Sequence, residues 1–159
     1  MKLPGSQTAH TNVVNVLSIG SAVENRAVLK RIFRRSEWTM CPNSSWRLDS
    51  RKTIDSALAF LRNRRVPVVI CECGAQRDTW KEALERLRLL PAPPFLVVTS
   101  RLADDRLWAE ALNLGAYDVL STPFDSTEVM RVISSAWLRW RGHETISPQS
   151  CARGRVSAA

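Results

Sequence analysis

Apolar and polar positions along this chain follow two rhythms that alternate from residue 12 to residue 141. "NVVNVLSIG" is a short, mostly apolar run and predicts a first strand. "ENRAVLKRIFRR" follows, with Val28, Leu29, Ile32 and Phe33 at helical spacing. After the turn-rich "MCPNSSW", the segment "WRLDS" alternates as a short second strand with Trp46 and Leu48 on one face. In "TIDSALAFLRNRR", Ile54, Leu58 and Leu61 form a helical stripe. "VPVVIC" is continuously apolar and β-branched, as a strand covered on both faces should be.

"DTWKEALERLRLL" predicts a third helix, with Thr79 and Glu82 spaced as a capping box and Pro91, Pro93 and Pro94 ending it. "FLVVTS" is a fourth strand, and "ADDRLWAEALNLG" a helix closed by Gly115. "YDVL" is a short fifth strand. The last helix, "DSTEVMRVISSAWLRWRG", has Asp125 and Glu128 at its N-cap and N3 positions and Gly142 beyond its end. Its stripe of Val129, Val132, Ile133, Ala136, Trp137 and Trp140 is mostly core by spacing. Trp140, set between Arg139 and Arg141, is the candidate for an exposed anchor.

Five strands alternating with five helices predict a doubly wound α/β fold with a parallel sheet and right-handed crossovers. The flavodoxin-like strand order 2-1-3-4-5 is the natural five-strand solution. Residues 12–142 read as one domain, 1–11 as a flexible leader and 143–159, poor in apolar residues, as a flexible tail.

Composition narrows the function classes. The chain has 159 residues, 45% apolar and 24% charged, with no apolar run near the ~20 residues of a membrane helix. Its first apolar stretch is interrupted by Asn15 and preceded by polar residues and Pro4, unlike a signal peptide, so a cytoplasmic protein is expected. Cys41, Cys71, Cys73 and Cys151 do not suggest a disulfide framework, and neither they nor His10 and His143 complete a zinc spacing. The net charge of +8 favours acidic partners, nucleic acid among them. The basic residues look scattered, however: Lys30, Arg31, Arg34 and Arg35; then Arg62, Arg64 and Arg65; then Arg139, Arg141, Arg153 and Arg155. Arginines near helix C-termini complement the helix dipole, so a solvated surface is preferred to a nucleic-acid site.

In an open sheet of this kind ligands bind at the carboxyl ends of the strands. Those ends carry Gly20 and Ser21, Glu72 and Cys73, Thr99 and Ser100, and Ser121, Thr122 and Pro123: one carboxylate, several hydroxyls and no lysine. No triad, glycine-rich phosphate loop or paired carboxylate is visible, so no enzyme is expected. Cys73 lacks an obvious activating neighbour and reads as structural.

At this point the sequence resembles the receiver domain of two-component response regulators, over about residues 12–141. "FLVVTS", then a helix, then "LNLGAYDVLSTPFDSTEV" carry the resemblance; the last run matches the family's Gly-Ala-x-Asp-x-Leu-x-Lys-Pro-Phe pattern except at the lysine. The resemblance implies a phosphoacceptor aspartate after the third strand, an acidic pair that helps it hold Mg²⁺, a phosphate-contacting lysine, and a Thr/Ser plus aromatic switch. Carried over, the acceptor falls on Glu72, the acidic pair on Gly20 and Ser21, the lysine on Thr122, and the switch on Thr99 and Val119. Pro123 persists, and in the family this proline follows a cis peptide.

The resemblance, less these groups, implies a stand-alone degenerate receiver that acts as a protein-interaction module in phosphorelay signalling, with no cofactor and poor Mg²⁺ binding. Its expected partner is a histidine kinase or another receiver. The face of the fourth helix, fifth strand and fifth helix, with Trp108, Trp137 and Trp140, would serve for targets or a homodimer. Glu72 offers a permanent charge that a hydrogen bond from Thr99 would hold in an active-like arrangement; alternatively it faces solvent or pairs with Arg77 or Arg101. Two other functions stay open: a working phosphoacceptor using Glu72 or a nearby hydroxyl, and a basic nucleic-acid-binding signalling protein.

Overall fold

The computed structural model describes residues 12–35, 41–74 and 79–146. The leader at 1–11, Arg77, and everything from residue 147 onward, including Cys151, Arg153 and Arg155, lie outside the described residues. Strands β1 (Asn12–Ile19), β2 (Ser44–Arg51), β3 (Val68–Glu72), β4 (Phe95–Ser100) and β5 (Asp118–Ser121) alternate with helices α1 (Val23–Arg34), α2 (Ile54–Leu61), α3 (Thr79–Arg88), α4 (Asp105–Leu114) and α5 (Ser126–Ile146). All strand pairs are parallel, in the order β2-β1-β3-β4-β5 expected from the sequence.

The two-residue period of the strands sorts their side chains into two cores. Leu17, Ile19, Val69, Cys71, Leu96, Val98 and Val119 pack under α2, α3 and α4. Val14, Val16, Val68, Ile70, Val97 and Leu120 pack under α1 and α5. Continuous apolar runs such as "VVIC" are the consequence of covering both faces. Trp80, on α3, is the largest side chain among the fully buried residues.

The helix ends follow local chemistry. Gly115 closes α4 in the left-handed region at φ 105°, and Asp104 accepts the Leu107 N–H at 2.9 Å as its N-cap. Asp125 accepts the Glu128 N–H at 2.9 Å at the start of α5.

Three elements differ from the sequence expectation. β2 is longer, pairing with β1 from Asn12↔Ser44 to Ile19↔Arg51, because an edge strand tolerates polar residues on its open side. α2 stops at Leu61 instead of running to Arg65; the proline at 67 disfavours helical backbone at Val66, so the helix has to end before that residue. α5 runs through Gly142 to Ile146, past the boundary set at 142. Its last turns are anchored by His143 against Phe95 (5.9 Å between ring centres) and by the Arg65–Glu144 ion pair. These contacts offset the cost of about 1 kcal/mol for a glycine inside a helix. Among the described residues no helix is long and apolar enough to cross a membrane.

Candidate functional site

The carboxyl ends of β3, β4 and β5 open into a cleft of about 570 Å³, walled by α3 and the start of α4. Glu72, Cys73, Thr99, Ser100 and Thr122 line it, as the topology predicts. Cys73 is at the rim and Cys71 in the core, where burial above all pushes the Cys71 thiol up to about 12. Among the described residues no group of three or more His, Cys, Asp or Glu is placed to hold a metal ion.

Parity decides where Glu72 points. It follows Val68 and Ile70 on the face covered by α1 and α5, so its side chain rises against the first turn of α1. Helix α1 starts from Ala22, whose side chain provides no cap. Glu72 takes that role from across the sheet. Its Oε2 accepts the Ala22 N–H at 3.2 Å and its Oε1 accepts the Asn25 Nδ2–H at 2.8 Å. The carboxylate thereby answers an orphan amide and the positive end of the helix dipole.

Gly20 belongs to the same arrangement. A Cβ at position 20 would lie 2.5 Å from Glu72 Oε2 and 2.9 Å from Glu72 Cβ. The longer Glu72 side chain occupies the space that a residue larger than glycine would need. Ser21 is exposed and supplies a hydroxyl, not a carboxylate. Of the positions to which the resemblance assigns a metal-holding acid, Glu72 alone is a carboxylate, and it is turned to α1, whereas Mg²⁺ prefers several hard oxygen ligands in octahedral geometry.

The other carried-over positions are placed as follows. Thr99 is buried at the end of β4, but no hydrogen bond joins it to Glu72, so a Thr99 clamp on Glu72 is not formed. Nor does Glu72 pair with Arg101; its side chain bonds to Ala22, just ahead of α1, and to Asn25 on it. Val119 is core under α4, at 1% exposure. The Thr122–Pro123 peptide is cis, and Thr122 Oγ1 is buried without a partner among the described residues.

Sequence reasoning missed Asn25 and Arg26. Both line a small cavity that also touches Gly20, Glu72 and Thr99, so α1 adds a cation to Lys81, Arg101 and Arg106 of the main cleft, while position 122 supplies none. The signal was present in Ala22, a poor N-cap residue in front of a good helix.

The tryptophans need a correction. Trp137 and Trp140 are buried and do not form an interaction face. Trp137 meets Trp46 edge-on at 5.7 Å, and Trp140 donates Nε1–H to the Pro93 carbonyl at 3.0 Å. Flanking arginines do not expose a residue whose helical angle points at the sheet. Trp108 alone of the three is half-buried, on a helix in which Ala111 is the one fully buried residue.

This geometry has counterparts among solved structures. The chain superposes on the signal receiver domain of an HD domain-containing protein from Pseudomonas fluorescens Pf-5 with a TM-score of 0.66, at 21% identity over 86% of this chain and 96% of that one. The fold is the receiver fold. The chemotaxis response regulator CheY4 of Vibrio cholerae matches at TM-score 0.64 and 14% identity, covering 79% of this chain and 99% of that one. A response regulator from Thermotoga maritima gives 0.67 and 15%, covering 79% and 98%. No protein-family model and no curated protein matches the chain. The receiver fold thus accounts for the strand order and for the cleft at the carboxyl ends, while the residues in that cleft are this chain's own.

Proposed function

We propose that the chain is a degenerate receiver that works as a protein-interaction module in two-component signalling, without conventional phosphorylation or Mg²⁺ binding. The observation that carries this reading is Glu72: its carboxylate caps α1 and fills the space above Gly20, where the resemblance asks for a metal-holding acid. A phosphoryl group approaching Glu72 would have to displace the bonds to Ala22 and Asn25; the family's lysine position holds Thr122, and the lysine that does line the cleft, Lys81, is paired with Glu110.

The test is phosphotransfer. Incubation with acetyl phosphate, or with a phosphorylated histidine kinase, in excess Mg²⁺ should leave the intact mass unchanged. A stoichiometric phosphate adduct mapping to Glu72 or a neighbouring hydroxyl would sink the proposal and establish the chain as a working acceptor.

The face offered to a kinase, a second receiver or another copy of the chain is α4 and its approach. There Leu102 and Leu112 are exposed at 70% and 45%, and Trp108 is half-buried beside them. Apolar side chains left exposed on and just ahead of one helix are a common mark of a binding surface.

A further inference from the structure

Folding collects the arginines that look scattered in the sequence. Helices in this fold run opposite to the strands, so the segments following α2, α3 and α5 meet at the amino end of the sheet, away from Glu72. The contacts confirm this meeting: Arg65 pairs with Glu144 of α5, and Trp140 of α5 reaches Pro93 ahead of β4.

A groove of about 410 Å³ lies there, with Arg62, Arg64 and Arg65 on one wall and Leu90, Pro91, Ala92 and Pro94 on the other. All three arginines are exposed. Two are set over aromatic rings, Arg64 over Phe60 at 5.2 Å and Arg65 over Trp140 at 5.5 Å. Arg141, over Trp137 at 5.4 Å, extends the basic surface along α5. Among the described residues that line the groove none is acidic, and Arg65 is paired with Glu144 of α5.

We propose that this groove binds the phosphodiester backbone of nucleic acid without reading its sequence. Guanidinium groups present a planar fork that matches phosphate oxygens, and rings beneath them reduce the freedom lost on binding. The dipole argument covers single arginines at helix ends; it does not account for three within four residues beyond the end of α2. The proline wall gives sugars and bases an apolar surface beside the charges. This inference is independent of the state of Glu72, since the two sites lie at opposite ends of the sheet.

The experiment is fluorescence anisotropy of the full chain with a labelled, mixed-sequence single strand of about 20 nucleotides, between about 50 and 200 mM KCl. Three to four neutralised phosphates predict a log–log salt slope of about −2 to −3. Arg62→Glu with Arg64→Glu should weaken binding at least about tenfold and flatten the slope by about 1–2. The control, Arg101→Glu with Arg106→Glu, makes the same charge change at the Glu72 end and should cost less than about twofold. Because Arg64 covers Phe60, the pair Arg62→Ala and Arg64→Ala, checked by circular dichroism, repeats the test without reversed charges; it should weaken binding at least about threefold. Equal losses from both ends would overturn the proposal, as would no association at the lowest salt. So would displacement of the strand by polyglutamate as effectively as by unlabelled DNA, which would make the groove a site for acidic protein.

Discussion

Trp137→Ala should destabilise the domain by about 3–5 kcal/mol, the usual range for removing a buried tryptophan. Trp137 is 8% exposed, stands edge-on to Trp46, and closes the core shared by β1, β3, α1 and α5. Truncation would leave a cavity bounded by Trp46, whose own ring also meets Phe33 at 6.5 Å, so the loss spreads along a row of aromatics. Urea titration followed by circular dichroism measures the effect, with a fall in melting temperature on the order of 10 °C. Trp108→Ala should cost less, about 1–2 kcal/mol, because Trp108 packs against the edge of the core and is only partly buried. If Trp137→Ala left stability unchanged and removed partner binding instead, its assignment to the core would be wrong.

A methyl group at position 20 should cost about 1–3 kcal/mol, the range for overpacking a closed site. The new Cβ would meet Glu72 Oε2 at 2.5 Å and Glu72 Cβ at 2.9 Å, so rotation of the glutamate alone cannot clear it. Gly20→Asp should be worse than Gly20→Ala, since it sets a second carboxylate beside the first. Coupling is the sharper measurement. With Glu72→Ala in place, the cost of Gly20→Ala should shrink by about 1 kcal/mol, because the oxygen clash is gone while the Cβ approach remains. Strict additivity of the two substitutions, measured by chemical unfolding, would show that Glu72 does not fill this space.

Much of this was legible in the sequence, and the parts that were not share one cause. The alternation of apolar runs marked all five strands, and the two-sided burial of β3 followed from "VVIC". Glycine at 115 marked the end of α4 correctly, since its left-handed conformation lets its N–H close on the Ala111 and Leu112 carbonyls. Glycine at 142 did not mark an end, because contacts with Arg65 and Phe95, distant in sequence, carry the helix past it. Trp140 looked exposed beside its arginines, yet its partner is the Pro93 carbonyl, 47 residues away. The position of Glu72 was readable from the strand pattern. Its bonds to Ala22 and Asn25 were not, since they cross from β3 to α1. Charge behaved likewise: arginines spread along the chain meet only once the helices are docked.

The cap on α1 has one more consequence, for the order in which the molecule opens. Most helices carry their N-cap in the adjoining residue and hold their first turn unaided. Here the capping oxygen belongs to a residue 50 positions later, so the first turn of α1 is secure only while β3 is seated beside β1. Amide hydrogen exchange should therefore find that turn opening together with β3, and Glu72→Gln should release the turn earlier than the rest of α1. A residue standing where the resemblance puts a reacting group serves this domain as a latch between its sheet and its first helix.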